Sequence, residues 1–148
     1  MSDDPGAPSA SHVAAEEVEA PAAKAFAFLT DGLSLGRWAL GCFGTQARPD
    51  GLFVGHSLFD GKELLVRVEG DPERFCVTYH VGQAPDRLAP RIFAKVEAVA
   101  QGGGKADSCR VSLVAERTPD MTPERWRHLT TIHETEILLI KALIETPG

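Results

Sequence analysis

Residues 121–146, MTPERWRHLTTIHETEILLIKALIET, carry the longest regular pattern in the chain and decide the fold. At about 100° per residue, the pattern predicts one amphipathic helix. Its broad apolar face collects Trp126, Leu129, Ile132, Ile137, Leu139, Ile140, Leu143 and Ile144. His133 and Glu136 fall inside that face. Because a buried carboxylate is costly unless it is paired or hydrated, the helix is expected to border a cavity rather than a dry core.

Ahead of this helix, alternating apolar and polar residues predict an antiparallel sheet. The predicted strands span 12–20, 52–59, 62–69, 74–81, 91–100 and 108–117. Two short helices are expected after the first strand, over 22–29 and 33–40, followed by an irregular crossing over 41–51. Residues 1–11 are small or polar and predict a disordered tail, with one domain over 12–148.

The turn signals determine which side chains share a face of the sheet. If Asp60-Gly61 forms a two-residue hairpin, Phe59 pairs with Lys62 and Gly55 lies opposite Val66. The inner face then mixes large residues with small ones, which leave either a hollow or space for bulky neighbours. An apolar set also falls on the outer face, formed by Leu52, Val54, Leu58 and Leu65. Either this set is covered in a homodimer, or the faces of the first hairpin are reversed.

Composition excludes several classes of protein. The chain has 148 residues and a net charge of −6, with no basic cluster, which argues against nucleic acid and anionic membranes as partners. Its three cysteines are far apart and have no metal-ligand spacing, so we expect neither disulfides nor a metal site. There is no secretory signal and no membrane-spanning segment, which predicts a cytoplasmic protein. No phosphate loop or nucleophile elbow is present, and no cofactor is expected.

Three stretches together resemble one superfamily. They are EEVEAPAAKAFAFLTD at 16–31, the segment 33–40 with Trp38, and the closing helix at 122–145. Their order is similar to that of the START-like superfamily, also called SRPBCC. The resemblance implies an α+β helix-grip fold, in which a curved antiparallel sheet wraps around a long C-terminal helix. It also implies a deep pocket between them, where members bind lipids, sterols, aromatic polyketides or hormones, and a minority catalyse ring closure or dehydration.

The candidate site residues come from the sequence itself. His133 and Glu136 are three apart on a helix, so they form either an acid–base pair or a structural pair. Tyr79, on the inner face, either donates to a ligand carbonyl or is a core tyrosine. The expected ligand-binding set is Trp38, Ser57, Tyr79, His133, Glu136 and Ile140.

Three functions are compatible with these residues. The first is a binding protein for a small apolar or aromatic ligand. The second is an enzyme similar to polyketide cyclases or dehydratases, with His133 and Glu136 transferring protons. The third is a protein-interaction module whose pocket has collapsed.

Overall fold

The computed structural model describes residues 11–99 and 108–146. These residues form seven strands and three helices, in an order that confirms the predicted α+β helix-grip fold. The elements are β1 (Ser11–Val18), α1 (Ala22–Thr30), α2 (Gly32–Trp38), β2 (Phe43–Ala47), β3 (Phe53–His56), β4 (Glu63–Asp71), β5 (Cys76–Gly82), β6 (Ala89–Ala98), β7 (Cys109–Glu116) and α3 (Pro123–Glu145).

The strands form one curved antiparallel sheet in the order β1-β7-β6-β5-β4-β3-β2. The long helix α3 packs on β1 and β7, while α1 lies across β4 to β7 and α2 adjoins β2. The core therefore lies between one face of the sheet and all three helices. No helix within the described ranges is long and apolar enough to cross a membrane.

Helix α3 spans Pro123–Glu145, within the predicted range of 121–146. The Thr122 hydroxyl oxygen accepts a hydrogen bond from the Arg125 amide at 3.1 Å, and Pro123 occupies the first turn. The buried side chains of the helix are His133, Glu136, Ile137, Ile140 and Ile144. The predicted apolar face, including its two polar members, is thus the face that meets the rest of the molecule.

Strand β2 was not expected, because residues 41–51 were predicted to be irregular. Gly44 has a φ of +63°, and the pairing with β3 shifts register between Phe43 and Gln46. Such a bulge breaks the period-two pattern that marks a strand in a sequence. Contacts with α2 hold β2 in place: the Thr45 hydroxyl donates to the Gly32 carbonyl at 2.6 Å. A side chain on Gly36 would collide with the Thr45 backbone.

The predicted hairpin registers are wrong, but the predicted faces are right. Gly55 lies opposite Leu64 rather than Val66. The turn is longer than two residues, with the Ser57 amide donating to the Lys62 carbonyl at 2.9 Å. On the next strand pair, the turn Gly70-Asp71-Pro72-Glu73 predicts that Val66 lies opposite Val77, but Val66 lies opposite Val81. Both predicted registers differ from the observed ones by an even number of residues. Because side chains alternate with period two along a strand, these paired residues stay on the predicted face of the sheet.

The outer apolar set is partly covered within the chain. Leu65 and Leu52 are only 6% and 7% exposed, whereas Leu58 is 52% exposed. Leu65 pairs with Gly82, where an added Cβ would collide with the carbonyl of Arg87, so the loop after β5 lies on this side of the sheet. Covering Leu65 does not require a second copy of the chain, and the homodimer stays a prediction.

At the N-terminus, Ser11 already belongs to β1, where it pairs with Glu116. Ser11, the last residue of the predicted tail over 1–11, is thus part of the sheet. The rest of that tail lies outside the described residues. The boundaries predicted for the domain stay a prediction.

Candidate ligand cavity

A cavity of about 170 Å³ lies between the sheet, the end of α2 and the middle of α3. Nearly all of its wall is apolar. Its lining residues are Leu35, Trp38, Ala39, Gly41, Cys42, Phe59, Leu64, Val66, Tyr79, Val81, Ile92, Leu129, Ile132, His133 and Glu136.

Four of the six predicted ligand-binding residues line this cavity: Trp38, Tyr79, His133 and Glu136. Ser57 does not, because β3 ends at His56 and the Ser57 hydroxyl oxygen accepts from the Phe59 amide in the following turn.

Ile140 also lies outside the cavity lining. It is fully buried one turn beyond Glu136 and belongs to the hydrophobic core. The cavity therefore ends near Glu136, and α3 packs closely onto the rest of the molecule beyond that point.

Gly41 and Cys42 line the cavity, but neither is among the ligand-binding residues predicted from the sequence. Both follow α2 in the segment that was predicted to be irregular. The Cys42 thiol contacts the Leu64 carbonyl at 3.7 Å, and burial raises its pKa to about 11. It is therefore a protonated, unreactive wall residue. No periodic signal marks these positions, because they belong to no helix or strand.

Glu136 connects α3 to the end of α2. One carboxylate oxygen, Oε2, accepts a hydrogen bond from the Leu40 amide at 2.9 Å. The side chain is almost fully buried, and this burial raises the pKa of the carboxyl to about 7, against the opposing effect of the Leu40 hydrogen bond. Glu136 therefore titrates near neutral pH rather than near the usual pKa of a carboxyl.

His133 lies beside Glu136 without bonding to it. The distance from His133 Nε2 to Glu136 Oε1 is 3.9 Å, too long for a hydrogen bond. Burial lowers the pKa of the imidazole to about 4; His12 acts in the same direction and Glu134 against it. The pKa of Glu136 is thus higher than that of His133, which reverses the usual order of a carboxyl and an imidazole. Near pH 7 the imidazole is neutral, and the neighbouring carboxyl is only partly ionised.

The Tyr79 hydroxyl is not available to donate a hydrogen bond to a ligand carbonyl. Its hydroxyl donates to the Leu29 carbonyl at 2.7 Å, so its only proton is already used. Its ring packs edge-to-face against Trp38, with centroids 5.8 Å apart. Burial, with a smaller contribution from the charge of Glu136, raises the pKa of the phenol. Tyr79 therefore forms a rigid wall of the cavity and connects β5 to α1.

A second, more polar recess of about 510 Å³ adjoins the cavity. The two share Gly41, Leu64, Val81, Ile92 and Leu129. Gly82, Met121 and six polar side chains line the rest of the recess; the polar side chains are those of Gln83, Arg91, Glu116, Thr118, Asp120 and Arg125. The Thr118 hydroxyl donates to Asp120, and this bond, with the nearby Arg91 and Arg125 charges, lowers the pKa of Asp120. The apolar cavity thus adjoins this polar recess, called the polar basin below, in which acidic and basic side chains are equal in number.

Solved structures share this fold at low sequence identity. The Zhui aromatase/cyclase from Streptomyces sp. R1128 has a TM-score of 0.66 and 15% identity, over 92% of this chain and 93% of that chain. This chain has the START-like helix-grip fold. A START superfamily protein from Mycobacterium smegmatis has a TM-score of 0.53 and 14% identity, over 86% of this chain and 97% of that one.

Two further similarities support the same START-like fold. An uncharacterized protein from Bacillus thuringiensis has a TM-score of 0.67 and 13% identity, over 91% of this chain and 98% of that one. The di-domain aromatase/cyclase BexL has the same TM-score and 20% identity, over 92% of this chain and 46% of that chain. No family model matches the sequence, and no curated protein matches it either.

Proposed function

We propose that this START-like protein binds a small apolar or aromatic molecule in the cavity between the sheet and α3. The observation that carries the proposal is the cavity itself, about 170 Å³ in volume and walled almost entirely by apolar side chains. An apolar cavity of roughly 150 Å³ in another protein stays dry and binds benzene. The volume therefore favours a ligand about the size of one ring, and it argues against a collapsed pocket that serves only protein interaction.

The volume also limits the size of the ligand. A fused-ring molecule exceeds the cavity and would have to extend past Gly41 and Leu129 into the polar basin, where both residues form part of the wall. Phe59, which lines the cavity and is 62% exposed, lies in the loop after β3. A displacement of this side chain would enlarge the cavity on that side.

A second candidate function is proton-transfer catalysis of the cyclase or dehydratase type. The observation that favours it is the carboxyl of Glu136, whose pKa of about 7 suits an acid or a base near neutral pH. Zhui and BexL, described as aromatase/cyclases, have the same fold. His133 Nε2 and Glu136 Oε1 are 3.9 Å apart and do not hydrogen-bond to each other, so neither atom occupies the other's bonding capacity toward a ligand.

Calorimetric titration with toluene tests the binding function, and Glu136→Gln separates it from catalysis. Glutamine retains an oxygen that accepts from the Leu40 amide but does not titrate. In a binding protein, toluene affinity is expected to stay within about tenfold, because one polar contact contributes roughly 0.5–1.5 kcal/mol. In an enzyme, turnover of a polyketide substrate falls by roughly 100-fold while binding persists.

Glu124→Gln, at an exposed position of the same helix, is the matched control and should change neither property. A delipidated wild-type protein that binds no toluene at millimolar concentration would count against a ligand site in this cavity.

A further inference from the structure

The backbone of Leu40 connects the buried carboxyl of Glu136 to the turn between β3 and β4. The Leu40 amide donates to Glu136 Oε2 at 2.9 Å, and the Leu40 carbonyl accepts from the Leu58 amide, also at 2.9 Å. The Glu136 side chain is buried, whereas Leu58 is exposed. Two hydrogen bonds on one residue thus lead from the interior of the molecule to its surface.

The turn over residues 57–62 is held by bonds between its own residues. The Ser57 carbonyl accepts from the Gly61 amide at 2.8 Å, and the Ser57 amide donates to the carbonyl of the last residue at 2.9 Å. Among the described residues, the backbone hydrogen bond that leaves this turn is the one from Leu58 to Leu40. We therefore expect the turn to move as a unit when that bond weakens.

Phe59 belongs both to this turn and to the wall of the cavity. Its side chain lines the cavity and is mostly exposed. A side chain that does both lies between the cavity and the solvent, so the ring covers the cavity on this side. The neighbouring Leu58 does not line the cavity. The position of the turn therefore decides where the Phe59 ring lies.

We infer that Glu136 is a positioning residue, which keeps the Phe59 ring over the cavity through the two hydrogen bonds of Leu40. The carboxyl holds the Leu40 backbone, this backbone holds the turn, and the turn places the ring. Phe59 then controls how fast a ligand enters and leaves. The inference rests on the proposed function, because it takes this cavity as the binding site, and it adds what controls access to the site.

Phe59→Ala removes the covering ring. The dissociation rate of toluene, measured by relaxation-dispersion NMR of the cavity methyl groups, should rise about tenfold. Because a cover slows entry as well as exit, the association rate should also rise, and the dissociation constant should change less than the dissociation rate does. Leu138→Ala, which shortens an exposed apolar side chain outside the cavity lining, is the control and should change neither rate.

Glu136→Leu removes the acceptor of the Leu40 amide and tests the positioning role. The dissociation rate of toluene should rise about fivefold in the wild-type background, but less than about twofold in the Phe59→Ala background. A direct effect of residue 136 on the ligand would be equal in both backgrounds, because independent effects multiply. Glu136→Gln retains an acceptor and should restore most of the wild-type rate.

Amide hydrogen exchange measures the same connection without a ligand. In Glu136→Leu, the Leu58 amide should exchange with solvent several-fold faster than in the wild type, because the Leu40 carbonyl to which it donates is no longer held. The Gly61 amide, whose partner lies within the turn, should exchange at the wild-type rate. If Glu136→Leu does not fold, Leu58→Pro breaks the second bond instead, since proline has no amide proton, and toluene dissociation is compared in the same two backgrounds.

The outcomes separate this inference from the proposed function. An unchanged rate of toluene dissociation from Phe59→Ala would overturn the covering role of the ring and leave ligand binding intact. An equal effect of Glu136→Leu in both backgrounds, or an unchanged exchange rate of the Leu58 amide in that variant, would overturn the positioning role. If toluene does not bind to the wild-type protein, both the inference and the proposed function are wrong.

Discussion

We expect Glu136→Gln to change how the free energy of unfolding depends on pH. Between pH 4 and pH 8, the free energy of unfolding of the variant should rise by roughly 3 kcal/mol relative to that of the wild type. Burial raises the pKa of the Glu136 carboxyl from 4.5 to about 7. Between these values the folded protein binds more protons than the unfolded chain. This carboxyl therefore makes the wild-type protein less stable as pH rises from about 4.5 to 7, and glutamine removes that loss.

His133→Gln is expected to have the opposite effect on the pH dependence. Burial lowers the pKa of the imidazole from 6.5 to about 4, so the unfolded chain binds more protons between those values. His133 thus makes the folded protein more stable, by roughly 3 kcal/mol, as pH rises from 4 to 6.5. In the wild type the two contributions nearly cancel.

Chemical denaturation at several values from pH 4 to pH 8 measures how the free energy of unfolding of each variant depends on pH. Stability of the Glu136→Gln protein should rise with pH, and that of the His133→Gln protein should fall. Glu124→Gln and His128→Gln, at exposed positions of the same helix, should run parallel to the wild type. If the free energy of unfolding changed with pH in the same way for the wild type and all four variants, burial would not shift the pKa of Glu136 or of His133.

The helix and the faces of the sheet could be predicted from the sequence, because both follow from local periodicity. The placement of His133 and Glu136 on the buried face of α3 required only the 3.6-residue repeat. The inner-face positions of Val66 and Tyr79 survived wrong strand registers, because an even shift leaves every side chain on its face.

The partners of the site residues could not be predicted. Glu136 bonds to the Leu40 amide across 96 positions in the sequence, and Tyr79 bonds to the Leu29 carbonyl across 50. Both partners are backbone groups near helix ends, which no residue type signals. Ser57 was misplaced for a related reason: the turn began earlier than the Asp60-Gly61 pair suggests, so the residue left the sheet.

Gly41→Phe is expected to weaken toluene binding by more than about 100-fold, or roughly 3 kcal/mol. Gly41 lies between the cavity and the polar basin, and a Cβ added there would meet no atom within 4 Å. The new ring should therefore enter the bordering volume without straining the backbone, and it would compete with a ligand for the same space.

Calorimetric titration of the variant with toluene checks this expectation. Gly41→Ala is the control, because a single methyl group leaves most of the volume free. Thermal melting establishes that both variants fold. Undiminished binding by Gly41→Phe would place the ligand somewhere other than this cavity.

Methyl NMR of the wild-type protein during titration with toluene tests the central claim most directly, since it locates the ligand without any substitution. We expect saturable shift changes, described by one dissociation constant, at cavity residues such as Val66, Ile92 and Ile132. The exposed methyl groups of Val13 and Leu138 should not move. Shifts confined to those exposed positions, or no saturable shift at all, would contradict a ligand site between the sheet and α3.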